Sequence, residues 1–235
     1  MTIQPKTIGV LGGLGPDTTA EFYLNTISAS LHVQKITRPP MLIWNVPMDY
    51  QLEKEFLIKA KNQERLLPYL TDGAKHLENG GSDFIVIPCN TVHVFIKDIR
   101  KAVSIPVLSI IEETVNKLKK DKVKIVGLLG TSITIKNNLY NDLLKERAID
   151  MSIPSPEDQH TINAIINNLV NRKKMKRDEM ALRTIIQKFS SQNIHSVLLA
   201  CTDLQLLIHT MPHAKVYDTM QILSEATVLY MHRKS

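Results

Sequence analysis

Cysteine is scarce in this chain, with only Cys89 and Cys201 among 235 residues. Two cysteines cannot build the disulfide framework of a small secreted protein. Neither has a second cysteine or histidine at the spacing of a zinc site, apart from the weak pairing of Cys89 with His93. Composition alone therefore favours two buried, inert thiols, because free cysteine is among the most buried residue types.

Long apolar runs are also missing. The longest, Met41–Met48 and Phe84–Cys89, have the length of a strand, whereas a membrane helix needs about 20 apolar residues. No apolar segment precedes a cleavage site near the first residues, so we predict no signal peptide. We expect a cytoplasmic protein with no membrane partner. No stretch rich in proline, glycine or serine divides the chain into separate domains.

The chain is positively charged but contains few aromatic residues. The net charge is +6, and aromatic residues make up 5% of the chain. The densest basic cluster, Arg172–Arg177, contains no aromatic residue and lies between two helical patterns. We interpret it as a solvated helix junction rather than a nucleic-acid site, so no nucleic-acid partner is predicted. A small anionic substrate fits the charge equally well.

Short apolar runs alternate with helical periodicity along the whole chain. This alternation predicts an α/β protein with parallel strands joined by crossover helices. The predicted strands are Thr7–Leu11, Met41–Trp44, Phe84–Ile87, Val107–Ser109, Lys124–Leu129, Ser196–Ala200 and Lys215–Tyr217, with another near Asp150–Ile153. The predicted helices are Thr18–Ser30, Glu55–Asn79, Val92–Lys101, Ile110–Lys119, Lys136–Glu146, Glu157–Asn171, Arg177–Ser190 and Leu204–Thr210.

Three strand–turn units recur in the same order in the second half of the chain. The pairs are Thr7–Gly12 with Lys124–Gly130, Phe84–Cys89 with Ser196–Cys201, and Ile105–Ser109 with Ala214–Asp218. Such a repeat indicates duplicated halves. It also places both cysteines directly after an apolar strand, at matching positions. Because ligands bind beyond the carboxyl ends of parallel strands, the repeat favours two functional thiols facing one ligand over two inert ones.

A glycine-rich loop, Gly12–Asp17, follows the first predicted strand. Glycines let the backbone turn sharply, and the next helix offers unpaired N–H groups to an anion. The loop lacks the G-x-G-x-x-G spacing of a dinucleotide site. Contact with a carboxylate or phosphate and a simple tight turn both remain open. The turn Gly130–Ser132 is its counterpart in the second half.

Each cysteine is followed by polar side chains and a predicted helix. A helix N-terminus lowers the pKa of a thiol from its usual value of about 8.5. Asn90, Thr91 and Thr202 offer donors to a carboxylate, and Asp203 can accept from an ammonium group or a thiol. His93 is either a second base near Cys89 or a packed helix residue. Two opposed thiols beside a bound carboxylate are the groups that a two-base racemase requires.

These segments resemble the aspartate/glutamate racemase family, the cofactor-independent amino-acid racemases. The resemblance rests on the GGLGP loop, the PCNT-x-H and ACTDL strand ends and the LLGT turn, and it covers nearly the whole chain in order. It implies two similar α/β subdomains related by pseudo-two-fold symmetry, each with a roughly four-stranded parallel sheet flanked by helices. The first would comprise residues 1–110 with 218–235, and the second residues 111–217.

The resemblance also implies roles for particular residues. Cys89 and Cys201 would be the catalytic acid–base pair. The substrate-binding residues would be Leu14, Gly15, Asn90, Thr91, Thr131, Thr202 and Asp203. Members of the family use no pyridoxal phosphate, metal or nucleotide, and many are dimers. We therefore expect a homodimer that binds a small-molecule amino acid and needs no cofactor.

Two departures from the family pattern bear on the substrate. Aspartate-specific members carry an arginine just after the second strand, and Pro47–Gln51 has none. They also carry a lysine where this chain has Leu169–Arg172. A smaller difference is Asp203, which stands where glutamate is common and keeps a carboxylate. We expect an acidic or broad range of amino acids. The alternatives are a hydantoin racemase or maleate isomerase, a non-catalytic protein that binds small carboxylates, and a thiol redox protein.

Overall fold

A computed structural model describes residues 5–33, 38–57 and 63–233. The chain divides into two compact units, one of Met1–Glu113 with Met220–Ser235 and one of Thr114–Thr219. Each unit contains a four-stranded parallel sheet flanked by helices. Within the described ranges, every helix is too short or too polar to cross a membrane.

The first unit is built around a sheet with the order β2-β1-β3-β4. Its elements are β1 (Ile8–Gly12), α1 (Pro16–Val33), β2 (Met41–Asn45), α2 (Tyr50–Leu57), α3 (Leu67–Asn79), β3 (Phe84–Val86), α4 (Ile96–Ala102), β4 (Val107–Leu108) and the start of α5 (Ile110–Lys120). Short 3₁₀ turns cover Gln63–Leu66 and Thr91–Phe95. The central strands β1 and β3 are buried throughout, which explains their continuous apolar sequences.

The second unit repeats this arrangement with the order β6-β5-β7-β8. Its elements are β5 (Ile125–Gly130), α6 (Ser132–Lys136), α7 (Asn141–Glu146), β6 (Asp150–Ser152), α8 (Pro156–Val170), α9 (Lys176–Ser191), β7 (Ser196–Ala200) and β8 (Lys215–Asp218). The helix α10 (Thr219–Met231) then leads into the first unit. The equal strand orders confirm the prediction of two similar α/β halves.

All eight predicted strands are present, but two of the predicted helices are interrupted, and a third, Val92–Lys101, starts as a 3₁₀ turn and becomes α-helical only at Ile96. The helix predicted over Lys136–Glu146 is broken after Lys136, the last residue of α6, and resumes at Asn141 in α7, because Asn138 takes a left-handed conformation with φ of 52°. The helix predicted over Glu55–Asn79 is also broken: α3 starts at Leu67, with Pro68 in its first turn. Proline fits there because the first helical N–H groups have no partner within the helix. Residues 58–62 of that prediction lie outside the described residues.

The predicted helix Leu204–Thr210 is wrong. Only a 3₁₀ turn at Leu204–Leu206 forms, and Met211 and Ala214 make a β-bridge just before β8. The apolar side chains that suggested the helix, such as Leu207 and Ile208, are instead buried in the core of the second unit. Consequently the expectation that Cys201 lies at a helix N-terminus is also wrong, and so is the same expectation for Cys89, which precedes the 3₁₀ turn Thr91–Phe95.

The basic cluster Arg172–Arg177 lies at the junction of α8 and α9, and its last two residues, Lys176 and Arg177, begin α9. Arg172, Lys173 and Lys174 are exposed, as expected for a solvated junction. Arg172 itself has a φ of 56°, a conformation that ends α8 and turns the chain towards α9. The positive charge of this cluster therefore faces solvent at the junction between two helices.

Candidate functional site

The glycine loop between β1 and α1 is held closed by two threonines. Gly13 and Gly15 have φ values of 80° and 95°, which side chains other than glycine rarely adopt. The Thr19 hydroxyl accepts from the Gly13 amide and donates to the Gly15 carbonyl, both at 2.9 Å. The Thr18 hydroxyl also donates to the Gly15 carbonyl, at 2.9 Å. The loop that presents Leu14 is therefore fixed by its own hydrogen bonds.

We expect Gly13→Ala to destabilise the protein more than Gly81→Ala does. Both glycines have positive φ, so alanine strains the backbone at either position by about 1 kcal/mol. At Gly13 a Cβ would also lie 2.7 Å from Asn45 Oδ1 and 2.9 Å from the Val46 amide, whereas at Gly81 it would meet no described atom within 4 Å. Urea unfolding of both variants should show an additional loss of about 1–2 kcal/mol for Gly13→Ala. Equal losses would contradict this packing argument.

Cys89 leaves the sheet through a tight turn after β3. Its amide donates to the Ile87 carbonyl at 2.8 Å, and its side chain is only 6% exposed. Asn90 and Thr91, which follow, are buried as well. Because β1 and β3 are adjacent and parallel, the glycine loop and Cys89 emerge at the same edge of the first sheet. The first unit thus brings together the predicted residues Leu14, Gly15, Cys89, Asn90 and Thr91.

His93 lies buried beneath Cys89 and contacts its backbone. The imidazole Nδ1 is 2.7 Å from the Cys89 carbonyl, and Nε2 accepts from the Ile110 amide at 3.2 Å. Since an amide N–H can only donate, Nε2 carries no proton and Nδ1 donates to the carbonyl. Burial lowers the pKa of His93 to about 4, the Cys89 carbonyl partly opposes this, and the charge of Arg100 adds to it. The contacts favour the packed, neutral histidine over a second base.

In the second unit, Thr131 caps the helix that follows β5. Its hydroxyl accepts from the Thr134 amide at 3.2 Å and lies 3.1 Å from the Thr134 hydroxyl. Gly130 pairs with Ala200 on the neighbouring strand, so Thr131 and Cys201 emerge side by side at the edge of the second sheet. Thr131, Cys201, Thr202 and Asp203 are therefore brought together in this unit.

Two amide side chains that the sequence analysis did not identify support the β5 turn. From α8, Gln159 Nε2 donates to the Gly130 carbonyl and Asn163 Nδ2 donates to Ser132 Oγ, at 2.9 and 2.8 Å. Gln159 Nε2 also donates to Asn163 Oδ1 at 2.9 Å. Their four-residue spacing on one helix is the signal that could have paired them. Only the structure shows that this helix face meets the turn.

Cys201 contacts a carboxylate of its own strand end. The thiol Sγ lies 3.6 Å from Asp203 Oδ2, within the range of a hydrogen bond from sulfur. Cys201 is 6% exposed, as Cys89 is, and Thr202 is buried beside it. The corresponding position after Cys89 holds Thr91. The two strand ends therefore differ in chemistry, since a carboxylate can exchange a proton with the thiol.

Among the described residues, no group of three or more histidine, cysteine, aspartate or glutamate side chains is arranged to hold a metal ion. The groups gathered at the two strand ends are thiols, hydroxyls, side-chain amides and one carboxylate. Thiols of this kind can accept and return protons, and hydroxyls and amides can bind an anion. The chemistry available in each unit is thus proton transfer beside a small polar ligand.

Known proteins resemble this chain over almost all of its length. The Asp/Glu/Hydantoin racemase family matches residues 11–227. The broad specificity amino-acid racemase RacX of Bacillus subtilis is 30% identical over 229 residues, which cover 94% of this chain and 96% of that protein. A glutamate racemase of Persephonella marina is 25% identical over 181 residues, covering 74% and 67% of the two chains.

Solved structures agree with the sequence comparisons. An aspartate racemase homologue from Pyrococcus horikoshii is 28% identical, with a TM-score of 0.80 over 97% of this chain and 100% of that chain. The aspartate racemase of Picrophilus torridus is 25% identical, with a TM-score of 0.81 over 97% of this chain and 95% of that chain. The likeness therefore includes the fold of the whole chain.

Proposed function

The chain belongs to the Asp/Glu/Hydantoin racemase family, and we propose that it interconverts L- and D-amino acids with Cys89 and Cys201 as two acid–base groups. It is accordingly an isomerase. The observation that carries the proposal is the matching position of the two thiols beyond buried central strands in sheets of the same strand order: Cys201 follows β7 directly, and Cys89 follows β3 after Ile87 and Pro88. Inert core cysteines have no physical reason to recur in this way.

The proposed reaction moves one proton off the α-carbon and another onto it. One cysteine thiolate takes the α-proton and becomes a thiol. The other thiol gives its proton to the opposite face of the α-carbon and becomes a thiolate, and the roles reverse for the other enantiomer. The number of protons is conserved, so the step needs no redox partner. We propose that it also needs no cofactor.

We propose that the polar groups beside the thiols bind the substrate and stabilise the negative charge that develops on it during this transfer. Asn90, Thr91 and Thr202 are donors that would bind the substrate carboxylate, together with the backbone at Gly15 and Thr131. Asp203 would accept from the ammonium group or from the Cys201 thiol, as its 3.6 Å contact with that sulfur supports. Preorganised donors of this kind stabilise a charged transition state more than water does, because they need not reorient.

The relatives carry names with different substrate ranges, one broad and others specific for glutamate. Membership of the family is therefore consistent both with a broad range of amino-acid substrates and with a range limited to acidic ones.

We further propose a cytoplasmic homodimer with subdomains of residues 1–110 with 218–235 and 111–217. The division at Glu113 and at Thr219 supports the subdomain limits. A reducing compartment would keep both thiols free.

Light scattering should give twice the 26.6 kDa chain mass, and a monomer mass would contradict the dimer.

Deuterium exchange tests the proposed activity directly. The purified protein, dialysed against a chelator and kept with a thiol reductant, is incubated in D₂O with single L-amino acids. Proton NMR follows loss of the α-proton, and chiral chromatography follows formation of the D-enantiomer. We expect D-product that carries deuterium at the α-carbon for at least one amino acid. Binding of an amino acid without exchange, for every amino acid offered, would overturn the proposal in favour of a binding protein.

A further inference from the structure

Gln205 stands in the second unit where His93 stands in the first. Each lies four residues after a cysteine, Gln205 after Cys201 and His93 after Cys89. Each also lies in the short 3₁₀ turn that follows a central strand of its sheet. The spacing from the cysteine and the local backbone are therefore matched, although one side chain is an amide and the other an imidazole.

The register of the strands shows the same match. Val86, three residues before Cys89, pairs with Leu108 of β4. Leu198, three residues before the second cysteine, pairs with Tyr217 of β8. In each unit the next helix starts two residues beyond this pairing partner. The two 3₁₀ turns therefore occupy equivalent places beside the two sheets.

The two side chains differ in their hydrogen bonds. His93 is 2% exposed and uses both ring nitrogens, donating from Nδ1 to the Cys89 carbonyl and accepting from the Ile110 amide at Nε2. Gln205 is 3% exposed, and its Nε2 finds no acceptor among the described residues. A donor buried in this way is costly, because it has lost its hydrogen bonds to water without replacing them. The cost points to a partner that Gln205 meets in another state of the protein.

We propose that Gln205 positions Cys201 when the substrate is bound, and that its Nε2 then donates to the Cys201 carbonyl as His93 donates to the Cys89 carbonyl. This inference rests on the proposed racemase function and adds a residue to it. A donor that holds the carbonyl fixes the backbone of the cysteine, and with it the direction in which the thiol points. Gln205 is a positioning residue, because it acts through the backbone of Cys201 and is itself buried.

Both matched side chains are neutral donors at neutral pH. Burial lowers the pKa of His93 to about 4, so its ring is uncharged, and a glutamine amide does not titrate. A cation beside either thiol would favour the thiolate over the thiol. A two-base reaction needs each cysteine in both forms in turn, so a neutral donor fixes the sulfur without favouring one form. Glutamine and buried histidine meet this requirement equally.

The test uses variants that keep a single cysteine. In Cys89→Ala only Cys201 can exchange the α-proton, and in Cys201→Ala only Cys89 can. Gln205→Met, which introduces an unbranched apolar side chain of similar length, is combined with each. Proton NMR in D₂O should show about 10-fold slower exchange in the Cys89→Ala background, the rate change made by one hydrogen bond of ordinary strength. Exchange in the Cys201→Ala background should not change.

Stability separates a positioning role from a structural one. Gln205→Met removes a buried donor that has no described partner, so its urea midpoint should equal or exceed that of the wild type. Gln205→His introduces the side chain of the matching position and should restore exchange by Cys201. Gln187→Met is the matched control, because Gln187 is exposed on α9, and it should change neither exchange nor the urea midpoint.

Equal slowing of exchange in both single-cysteine backgrounds would overturn the inference, because it would reveal a general loss of structure. Unchanged exchange in both backgrounds would overturn it as well. A urea midpoint of Gln205→Met clearly below that of the wild type would show that the amide already has its partner in the free protein. Absence of α-proton exchange in the wild type, with every amino acid offered, would instead reject the racemase function itself.

Discussion

Replacement of Cys89 or Cys201 by alanine, one at a time, is expected to slow racemisation by about 10²–10⁴-fold. Each variant lacks one of the two groups that handle the α-proton, and water is a poor substitute for a thiol or thiolate. The effect should be similar in size for both cysteines, because inversion needs a proton removed on one face and delivered on the other. Chiral chromatography of the product measures this loss.

The exchange that survives in each variant is more informative than the loss. With one thiol left, that thiol can still take the α-proton of one enantiomer and return deuterium to the same face. Cys89→Ala and Cys201→Ala should therefore exchange opposite enantiomers, each with retention of configuration. Proton NMR in D₂O with pure L- and pure D-substrate distinguishes the two patterns.

Serine variants serve as matched controls for size. Both cysteines are 6% exposed, so Cys89→Ser and Cys201→Ser keep the packing while replacing a thiol with a far weaker acid. They should fold as the wild type and lose racemisation as the alanine variants do. Residual exchange of the same enantiomer in both alanine variants, or full racemisation in either, would refute the two-base assignment.

His93→Ala should lower the free energy of unfolding by about 3 kcal/mol. The substitution leaves the Cys89 carbonyl and the Ile110 amide without their buried partner and opens a cavity the size of an imidazole. Urea unfolding at neutral pH measures the loss. His195→Ala is the matched control, since His195 also makes two hydrogen bonds but is exposed, and it should cost less than about 1 kcal/mol. Equal costs would contradict a structural role for His93.

The same histidine predicts a pH dependence of stability. The pKa of His93 is about 4 in the folded protein, where burial lowers it, and about 6.5 when the chain is unfolded. Between these values the unfolded chain binds a proton that the folded protein does not, so stability falls as the pH drops from about 6.5 to 4. The loss contributed by His93 approaches about 3 kcal/mol at the lower limit. Arg100 and Glu112, the charged groups that act on the ring, have opposite effects on it.

His93→Gln isolates this contribution. Glutamine does not titrate, so the variant should be less stable than the wild type at neutral pH and lose less stability on acidification. The two unfolding free energies, measured in urea from pH 7 to pH 4, should therefore approach each other. Parallel curves over this range would show that His93 does not titrate as its burial requires.

The strands and the duplicated plan could be predicted because their signals are local. Phe84, Ile85 and Val86 of β3 are all buried, and a strand covered on both faces is a continuous apolar run in the sequence. Helix limits were less predictable. Leu207 and Ile208 show the apolar spacing of a helix, yet they pack in the core from an irregular segment, since tertiary contacts decide the conformation of a short run.

The candidate site was predictable only where the sequence repeats. Cys89 and Cys201 were found from their matched strands. Gln159 and Asn163 were not, because their contacts with the β5 turn join residues that are far apart in the chain. A small apolar cavity beside Cys89, lined in part by Leu14, Met48 and Val92, was missed for the same reason. Its walls come from separate segments, and no spacing in the sequence relates Met48 to Val92.

The contact between Cys201 and Asp203 has a kinetic consequence for a racemase. Enantiomers have equal free energies in water, so the equilibrium constant is one and kcat/KM must be identical in the two directions. The carboxylate 3.6 Å from one thiol cannot favour either enantiomer at equilibrium. Any difference that it makes between the two directions must change kcat and KM together. The chemical inequality of the two strand ends should therefore be visible in saturation curves, where the two enantiomers reach different plateaus from the same initial slope.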